Sequence, residues 1–547
     1  MSETTPQVLI AGAGPVGLTI AHELSRRGVA VRIVDRAAAP SVTSRATATH
    51  ARTLEIFDQM GVLGRLLDRG QRVVHFSLHM GGRRLVRFDT NYSQLPTRFP
   101  FSLMVDQVKT EAALRDALAE MGVKVEQGVS LEELDPGDDG AGVLLRHAGG
   151  RTESFRVPWL VGADGAHSTV RRALGLRLLG EQTQTWLNAD VVIDADLQRN
   201  SNHLLHTGKG TILLVPFPEP GKWRAVDTVD VSGAEDWELI RSRLAGKLSQ
   251  ALRRPVAVES PTWVSVFTVQ QRMIERMRVG RCFVAGDAAH VHSPASGQGM
   301  NTGIQDGYNL AWKLADVVRG YADARLLDTY GAERVPIGAK LLRSTRTATG
   351  LVALRNTLAP IALPIGARVL NTLKPLKRRI EGKIIRGFCG LALHYADSPL
   401  TAGPASRPGT IPPGHRVACN EAEFAAHPGW RELAEELRDP RWTLLGFGDD
   451  ALSLAVLDDV SDRFGGAVSV RRVTAGGPAG AATLGDPSGV LRDRLGAPAQ
   501  GYALIRPDGY LAGVGHLLGG GEFGARLREY GLVAADGVAA GTDGEAH

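Results

Sequence analysis

Three glycines near the N-terminus have the spacing of a dinucleotide-binding loop. Gly12, Gly14 and Gly17 form the pattern G-x-G-x-x-G. In this pattern the first glycine permits a tight turn, the second lets the backbone approach a pyrophosphate, and the third lets a helix pack closely on a strand. The N-terminus of that helix presents free N–H groups to the phosphates. The chemistry indicated is binding of NAD or FAD, which these glycines alone do not distinguish.

The elements around the glycines are those that such a loop requires. Residues 7–11 read as a strand, 16–27 as a helix and 29–35 as a second strand, which together make a βαβ unit. Asp35 ends the second strand, where an acidic residue accepts hydrogen bonds from a ribose. A second match to the glycine pattern at 519–524 lies too near the C-terminus to complete a βαβ unit. We interpret that match as a glycine-rich loop.

Two further segments favour FAD over NAD. Residues 160–171 (LVGADGAHSTVR) read as an apolar strand that ends at Asp164. Residues 281–301 read as a strand that ends at Asp287, followed by a glycine-rich loop and a helix. A carboxylate at such a strand end can bind a ribityl or ribose hydroxyl. The loop 297–301 would aim backbone N–H groups outward, which suits the anionic edge of a reduced flavin.

These three motifs, in this order and spacing, resemble the class A flavoprotein aromatic hydroxylases, the group that includes para-hydroxybenzoate and phenol hydroxylases. The resemblance covers roughly residues 7–395. A linker rich in Pro and Gly and a C-terminal α/β unit resemble the branch that hydroxylates aromatic polyketides. In that branch the last domain is thioredoxin-like but lacks the redox cysteine pair. Only Cys419 lies in this part of the chain, in agreement with that branch.

The resemblance implies a role in FAD binding for individual residues. Arg45 would reach the FAD phosphates and the flavin edge, and Gln107 would bond the ribityl chain or a phosphate. The backbone at Val129 would meet the adenine. Asp164 would serve both FAD and NAD(P)H, and Asp287 would bind the ribityl chain. The complete set of predicted cofactor-binding residues is Gly12, Gly14, Pro15, Val16, Gly17, Asp35, Arg36, Arg45, Gln107, Val129, Asp164, Asp287, Pro294, Gly297, Gln298, Gly299, Met300 and Asn301.

The resemblance also implies that Pro294 would lie near the reacting edge of the flavin. Three other positions depart from the residues that are usual in the family. This chain has Ser296 where the family usually has Gly, Gly307 where it usually has Ala, and Gly513 where it often has Trp. The pair His290-x-His292 lacks the third and fourth ligands that a metal site needs, so we expect no metal. We assign no catalytic acid or base, because a phenol can be activated by one hydrogen bond.

We expect an α/β protein, α+β overall. A Rossmann-like FAD-binding domain would be interleaved with an antiparallel-sheet substrate domain and followed by a C-terminal thioredoxin-like domain. The expected bounds are 1–180 and 270–395 for the FAD-binding domain with its connecting helices, 181–270 for the substrate domain, 398–416 for the linker, 417–530 for the thioredoxin-like domain and 531–547 for a flexible tail.

The charge and cysteine content of the chain narrow the classes of partner and the compartment that we expect. The net charge is +5, but basic and acidic residues are interspersed, and the one basic cluster at 374–386 is typical of a solvated helix face. The three separated cysteines are typical of a reducing cytosol. We find no signal peptide and no apolar run of ~18 residues. We therefore expect a cytoplasmic protein without nucleic-acid or membrane partners, and a homodimer stays open.

The predicted function follows from the resemblance. It implies noncovalent FAD, NAD(P)H as a transient co-substrate with NADPH favoured, and hydroxylation of a polycyclic phenolic substrate by O2 through a C4a-hydroperoxyflavin. Three alternatives stay open: Baeyer–Villiger oxygen insertion on an aromatic polyketide ketone, hydroxylating inactivation of an aromatic antibiotic, and a non-catalytic protein that binds flavin and an aromatic compound.

Overall fold

The structure is a computed structural model of the 547-residue chain. It describes residues 5–44, 46–89, 95–208, 210–293, 297–353, 359–403, 407–476, 480, 482–517 and 519–535. Its strands are β1 Val8–Ala11, β2 Val31–Asp35, β3 Ala48–Thr49, β4 Gln71–Val73, β5 His75–Met80, β6 Arg83–Asp89, β7 Ser102–Met104, β8 Val125–Gln127, β9 Val129–Pro136, β10 Ala141–His147, β11 Thr152–Val157, β12 Trp159–Gly162, β13 Leu179–Asp194, β14 Ser201–His206, β15 Thr211–Pro216, β16 Lys222–Asp227, β17 Ala257–Val258, β18 Trp263–Met273, β19 Arg278–Val279, β20 Cys282–Val284, β21 His290–Val291, β22 Trp442–Gly446, β23 Val468–Thr474, β24 Thr483–Gly485, β25 Gly501–Ile505 and β26 Leu511–His516.

The helices alternate with these strands, in keeping with the mixed α/β class predicted from the sequence. They are α1 Pro15–Ser25, α2 Ala51–Gln59, α3 Gly64–Leu67, α4 Gln107–Glu120, α5 Thr169–Ala173, α6 Trp237–Leu252, α7 Gly299–Val318, α8 Asp328–Ala353, α9 Ala359–Thr372, α10 Lys374–Phe388, α11 Glu421–Ala426, α12 Pro428–Glu436, α13 Ala451–Phe464, α14 Val490–Leu495 and α15 Gly520–Glu529. Within the described ranges, no helix is both long and apolar enough to cross a membrane.

The first sheet brings the three predicted motifs to one edge. Its strand order is β19-β20-β12-β1-β2-β8, and β1 pairs in parallel with both β12 and β2. Strand β20 pairs in parallel with β12. Because the carboxyl ends of parallel strands lie at the same sheet edge, the segments that follow β1, β12 and β20 are neighbours. Helices α1 and α7 pack against each other beside this sheet and bury an apolar core that β1 and β12 share.

A larger sheet lies beside the first, with the order β21-β18-β13-β16-β15-β14-β5-β6 and β17 paired with β13. It contains the antiparallel strands that the sequence predicts between 186 and 270. It also takes β5 and β6 from residues 75–89, and β5 pairs in parallel with β14. The strand interpretation of this segment missed helix α6, whose buried side chains Ile240, Leu244 and Leu248 cover one face of the sheet. Asp236 caps this helix by accepting a hydrogen bond from Leu239 N.

The C-terminal part is built on a five-stranded sheet with the order β24-β23-β22-β25-β26. Helices α13 and α15 pack on one face and α12 and α14 on the other. The glycines at 519–524 open helix α15, so the sequence interpretation of a loop there is wrong. At Gly513 a Cβ atom would lie 2.7 Å from both Ala402 O and the Tyr530 hydroxyl, so the larger side chain common in the family does not fit. Leu532, within the predicted tail, is buried in the same core.

Candidate cofactor site

The glycine loop after β1 leaves room for a ligand at one position only. Gly12 has φ +102°, and a Cβ there would overlap the carbonyl oxygen of Ala163. A Cβ at Gly17 would overlap the carbonyl oxygen of Gly12. At Gly14 a Cβ would meet nothing within 4 Å. The fold itself therefore demands Gly12 and Gly17, whereas the space at Gly14 fits the backbone approach of a pyrophosphate.

Helix α1 begins directly at this loop. Pro15 is its first residue, and no side chain caps its N–H groups, which leaves the helix end available to an anion. Val16 packs on the third motif and on α7, because a Cβ at Gly286 or at Gly303 would lie 2.7 Å from its Cγ2 atom. The same close approach explains Gly307, where a Cβ would lie 3.0 Å from Ile20. The departure from the family at Gly307 thus lets α7 and α1 pack closely.

The carboxylate of Asp35 closes the glycine loop. Its Oδ2 accepts a hydrogen bond from Ala13 N at 2.7 Å, and its Oδ1 accepts one from Ala37 N at 2.8 Å. Arg36 beside it is exposed. The predicted adenine neighbour Val129 is close in space, since Gly128 N donates to Ala37 O at 2.8 Å. These residues form one end of the candidate site.

The acidic residues of the second and third motifs differ in their surroundings. Asp164 Oδ2 accepts hydrogen bonds from Thr169 N and Val170 N at the start of α5. Its Oδ1 is buried and has no hydrogen-bond partner within the described part of the chain. Asp287 is exposed in a 3-10 turn between two buried residues. An orphaned carboxylate oxygen and an exposed carboxylate at neighbouring strand ends fit the hydroxyls of FAD.

Gln107 brackets the predicted phosphate-binding Arg45. Gln107 N donates to Ser44 Oγ at 2.7 Å and to Ala46 O at 3.1 Å, and its Oε1 accepts from Ala46 N at 3.2 Å. Gln107 therefore fixes the backbone on both sides of that arginine. Arg45 itself lies outside the described residues, as do the predicted flavin neighbours Pro294 and Ser296.

The loop before α7 is held by side chains that the sequence analysis assigned to the cofactor. Asn301 Nδ2 donates to Ala48 O and to Gly297 O at 2.8 Å each, and its Oδ1 accepts from His50 N. Gln298 Nε2 donates to Gly387 O at the end of α10. Met300 packs on the main apolar core.

The side chain of Gln298, the N-cap residue of α7, makes these loop contacts and does not cap the first turn of the helix at Gly299. Its free N–H groups and the positive end of the helix dipole would favour an anionic group. Asn301 and Gln298 would then act by fixing the loop, and the backbone amides would contact the ligand.

A buried polar chain behind this loop was missed by sequence reasoning. His292 Nε2 lies 2.8 Å from His290 Nδ1, His290 Nε2 lies 2.5 Å from Asp306 Oδ2, and Arg334 Nε donates to Asp306 Oδ1 at 2.7 Å. Burial alone would raise the pKa of Asp306, but the charges on His290 and Arg334 lower it to about 2. Asp306 Oδ2 also accepts from Gly286 N, so this ion pair braces the turn that carries Asp287.

The two histidines therefore have a structural partner in Asp306. Among the residues that the structure describes, no group of three or more His, Cys, Asp or Glu side chains could hold a metal ion. One signal in the sequence could have revealed this chain. Asp306 lies about two helical turns beyond Gly299 and is the one charged residue of the helix before Lys313; a carboxylate buried in such a helix needs a partner.

Comparison with known proteins places an FAD-binding domain over this part of the chain. Residues 5–345 match the family model described as an FAD binding domain. A 6-methylpretetramide 4-monooxygenase from Streptomyces rimosus is 61% identical over 533 residues, which is 97% of this chain and 94% of the relative.

Two solved structures share the fold along nearly the whole chain. The flavin-dependent monooxygenase PieE, in complex with FAD and substrate, superposes with a TM-score of 0.76 at 25% identity, over 94% of this chain and 97% of that chain. CabE, an aromatic hydroxylase from angucycline biosynthesis, superposes with a TM-score of 0.72 at 27% identity, over 97% of this chain and 100% of that chain.

Proposed function

Since the chain belongs to the group A FAD-dependent aromatic monooxygenases, we propose that it hydroxylates a polycyclic phenolic polyketide with NAD(P)H and O2 as co-substrates. The family assignment makes it a flavin-dependent monooxygenase with FAD as its cofactor. The identity of the substrate, the position of attack and the choice of nicotinamide cofactor belong to the proposal.

One observation carries the substrate class. The relative that shares 61% identity over 97% of this chain is named for oxygenation of 6-methylpretetramide at position 4. That alignment includes the large sheet and the C-terminal unit as well as the FAD-binding segments. We therefore favour a pretetramide-type substrate, hydroxylated on a phenolic ring, over the oxygen insertion, antibiotic inactivation and flavin-sequestering alternatives.

The chain supplies binding, orientation and charge to this reaction. FAD, when bound, supplies hydride acceptance and oxygen activation. The loop at Gly14 would bind the pyrophosphate, Asp35 the adenosine ribose and Asp287 the ribityl chain. The uncapped start of α7 would stabilise negative charge on the flavin ring system.

We propose that NAD(P)H binds only transiently, with NADPH favoured. The chain has one glycine fingerprint with a complete βαβ unit, and FAD would occupy it. Arg45 would lie on the path along which the flavin meets NAD(P)H, and its guanidinium could pair with a phosphate bidentately.

We also propose the domain division given by the sequence, with a thioredoxin-like unit over 417–530. The parallel pair β22–β23, connected through α13, and the antiparallel hairpin β25–β26 support it, as do the helices on both faces. Cys419 is the one cysteine after residue 389, so this unit would do no dithiol chemistry.

The test is turnover of 6-methylpretetramide by the FAD-loaded enzyme with NADPH and, separately, NADH. We expect substrate-stimulated oxidation of the nicotinamide and a product that has gained one oxygen atom as a new phenolic hydroxyl. A lactone product would indicate Baeyer–Villiger insertion, and binding without nicotinamide oxidation would indicate a sequestering protein. Either result would contradict the proposal.

A further inference from the structure

One face of the large sheet points at the cofactor segment. Arg224 on β16 forms a bidentate ion pair with Asp190 on β13, at 2.7 and 2.8 Å, and its Nη2 also donates to Ser44 O at 2.8 Å. Ser44 Oγ is the group that accepts from Gln107 N. The sheet face that carries Asp190 and Arg224 therefore points toward the predicted FAD-binding residues. Helix α6 covers the other face of the sheet.

Strand alternation places Asn188 on this same face, two residues before Asp190. Asn188 is 8% exposed, and among the residues that the structure describes its buried Oδ1 has no hydrogen-bond partner. A buried carboxamide oxygen without a donor costs stability, so such groups are uncommon in folded proteins. On a face that points at a cofactor site, an orphaned acceptor of this kind indicates a donor that arrives with a ligand.

The residues in line with Asn188 define what kind of ligand fits. Strand pairing puts one transverse row across the sheet, which runs Ser265, Asn188, Val226, Leu213, Leu204, Leu78. The row is polar at its first two positions and apolar at the other four. With strands about 4.8 Å apart, the apolar part spans about 14 Å.

The neighbouring side chains add aromatic surface at the polar end of the row. Trp186 and Phe267, cross-strand partners on the same face, form an edge-to-face pair with ring centroids 6.2 Å apart. Phe267, Leu213 and Leu78 are only half-buried. An extended apolar strip with a hydrogen-bond acceptor at one end matches an elongated, flat, fused-ring phenol.

We propose that Asn188 is a substrate-positioning residue whose Oδ1 accepts a hydrogen bond from a phenolic hydroxyl of the polycyclic substrate. This inference rests on the proposed function and deepens it. The fused rings lie along the row from Val226 to Leu78, and the bond to Asn188 sets which ring carbon faces the flavin. Asn188 is thereby a determinant of regiochemistry that acts without proton transfer.

The test is Asn188→Leu in the full-length, FAD-loaded enzyme. Leucine has a similar size and removes the orphaned acceptor, so the urea midpoint should stay the same or rise. The Kd for 6-methylpretetramide, measured from the change in flavin absorbance, should increase roughly 10-fold, as for loss of one hydrogen bond. More of the NADPH consumed should yield hydrogen peroxide in place of hydroxylated product.

The matched control is Ser201→Ala on the opposite face of the same sheet. Ser201 Oγ and Ser77 Oγ, 3.0 Å apart, share a buried hydrogen bond, so this variant should lower the urea midpoint and leave the Kd unchanged. If Asn188→Leu does not fold, Asn188→Asp replaces it. That variant retains the acceptor and should keep the Kd within a few-fold of wild type while shifting the pH dependence of substrate binding.

The outcomes separate the two proposals. A loss of stability in Asn188→Leu with an unchanged Kd would show that the residue serves the fold and would overturn the assignment. An Asn188→Asp enzyme with the pH profile of wild type would overturn it as well. If the wild-type enzyme binds no polycyclic phenol, the proposed function is contradicted. In that case the urea midpoint of Asn188→Leu still tests Asn188 separately, because a lowered midpoint would overturn its assigned role.

Discussion

Helix α7 starts at Gly299 without a side-chain cap, beside an exposed Asp287, whereas its second half is enclosed by paired charges. At Lys313, four turns along the helix, the side chain is fully buried and its Nζ donates to Glu333 Oε2 at 2.7 Å. At the first end, the N-cap residue Gln298 does not cap the helix with its side chain. In the second half, the buried ammonium group of Lys313 has a carboxylate partner.

The paired charges come from three parts of the chain. Glu333 on α8 also accepts from Arg506 at 2.6 Å, and Arg506 in turn pairs with Asp508, both from the C-terminal unit. Burial lowers the pKa of Lys313 to about 8, against the opposing charge of Glu333. Burial acts on Glu333 too, but Arg506 and Lys313 hold its pKa well below the ordinary value.

The difference between the two ends teaches how the site is supported. A ligand site needs unsatisfied groups, which by themselves destabilise the fold. The C-terminal unit compensates at a distance, because it anchors the far half of the helix that presents those groups. The predictions below test that division, from the largest expected effect to the smallest.

Breaking the charged end should have the largest effect. Arg506→Met leaves Asp508 and half of the Glu333 carboxylate buried without their main partner, and we expect a loss of about 3–5 kcal/mol in the free energy of unfolding. Urea denaturation of the FAD-loaded enzyme measures it. Arg241→Met, which removes a solvent-exposed ion pair with Glu238 on α6, should cause no measurable change. Equal stability of the two variants would contradict the comparison.

Asp316, near the end of α7, should make the same interface sensitive to pH. Burial raises its pKa to about 7 from the ordinary 3.8, against opposing effects of Arg27 and a hydrogen bond from Trp442 Nε1. Between these pH values the folded state holds the proton more strongly than the unfolded chain. The stability that comes from protonated Asp316 is therefore fully present below about pH 4, and it is lost as the pH rises through 7.

Asp316→Asn, which cannot ionise, should abolish that loss. We expect the variant to be more stable than wild type at pH 8 by about 4 kcal/mol, because a difference of one in pKa between the folded and unfolded states corresponds to about 1.4 kcal/mol. Urea midpoints at pH 5 and pH 8 measure the effect. Parallel pH profiles for the two proteins would show that Asp316 is ionised in the folded state.

At the open end, a change should affect ligand binding and spare the fold. Asp287→Ala would remove the charge-assisted hydrogen bond that we propose between Asp287 and FAD, about 1.5–3 kcal/mol, so the Kd for FAD should rise roughly tenfold or more. Because Asp287 is exposed, the unfolding free energy of the apoprotein should change by less than about 1 kcal/mol. Asp139→Ala, at an exposed carboxylate paired with Arg156, is the control for surface charge. An unchanged Kd for FAD in Asp287→Ala would remove it from the site.

The smallest effect is expected at Cys419. The residue is buried, and burial raises the pKa of its thiol to about 12, so it holds no thiolate at neutral pH. Cys419→Ser should therefore leave the turnover rate within twofold of wild type. A large loss of activity at unchanged stability would assign redox chemistry to the C-terminal unit.

Local sequence was sufficient for the cofactor motifs. The strand, glycine loop and helix at residues 8–25 follow from the hydrophobic periodicity and from Gly12 and Gly17. No residue with a side chain fits at either of these two positions. The order of the three motifs was enough to predict FAD, because each motif is a short strand end whose geometry depends on nearby residues. Helix α6 was missed since its few buried positions are diluted by polar ones.

Tertiary structure decided which polar side chains have partners. Arg506 and Glu333 are separated by 173 residues, and Arg224 and Ser44 by 180, so neither contact can be read from spacing. Asn301 and Asn188 are both asparagines near the site, yet one is fully bonded to backbone and the other has an orphaned oxygen. A buried polar group has a hydrogen-bond partner only where the packed fold brings another polar atom to within about 3 Å of it. The sequence alone does not specify that distance.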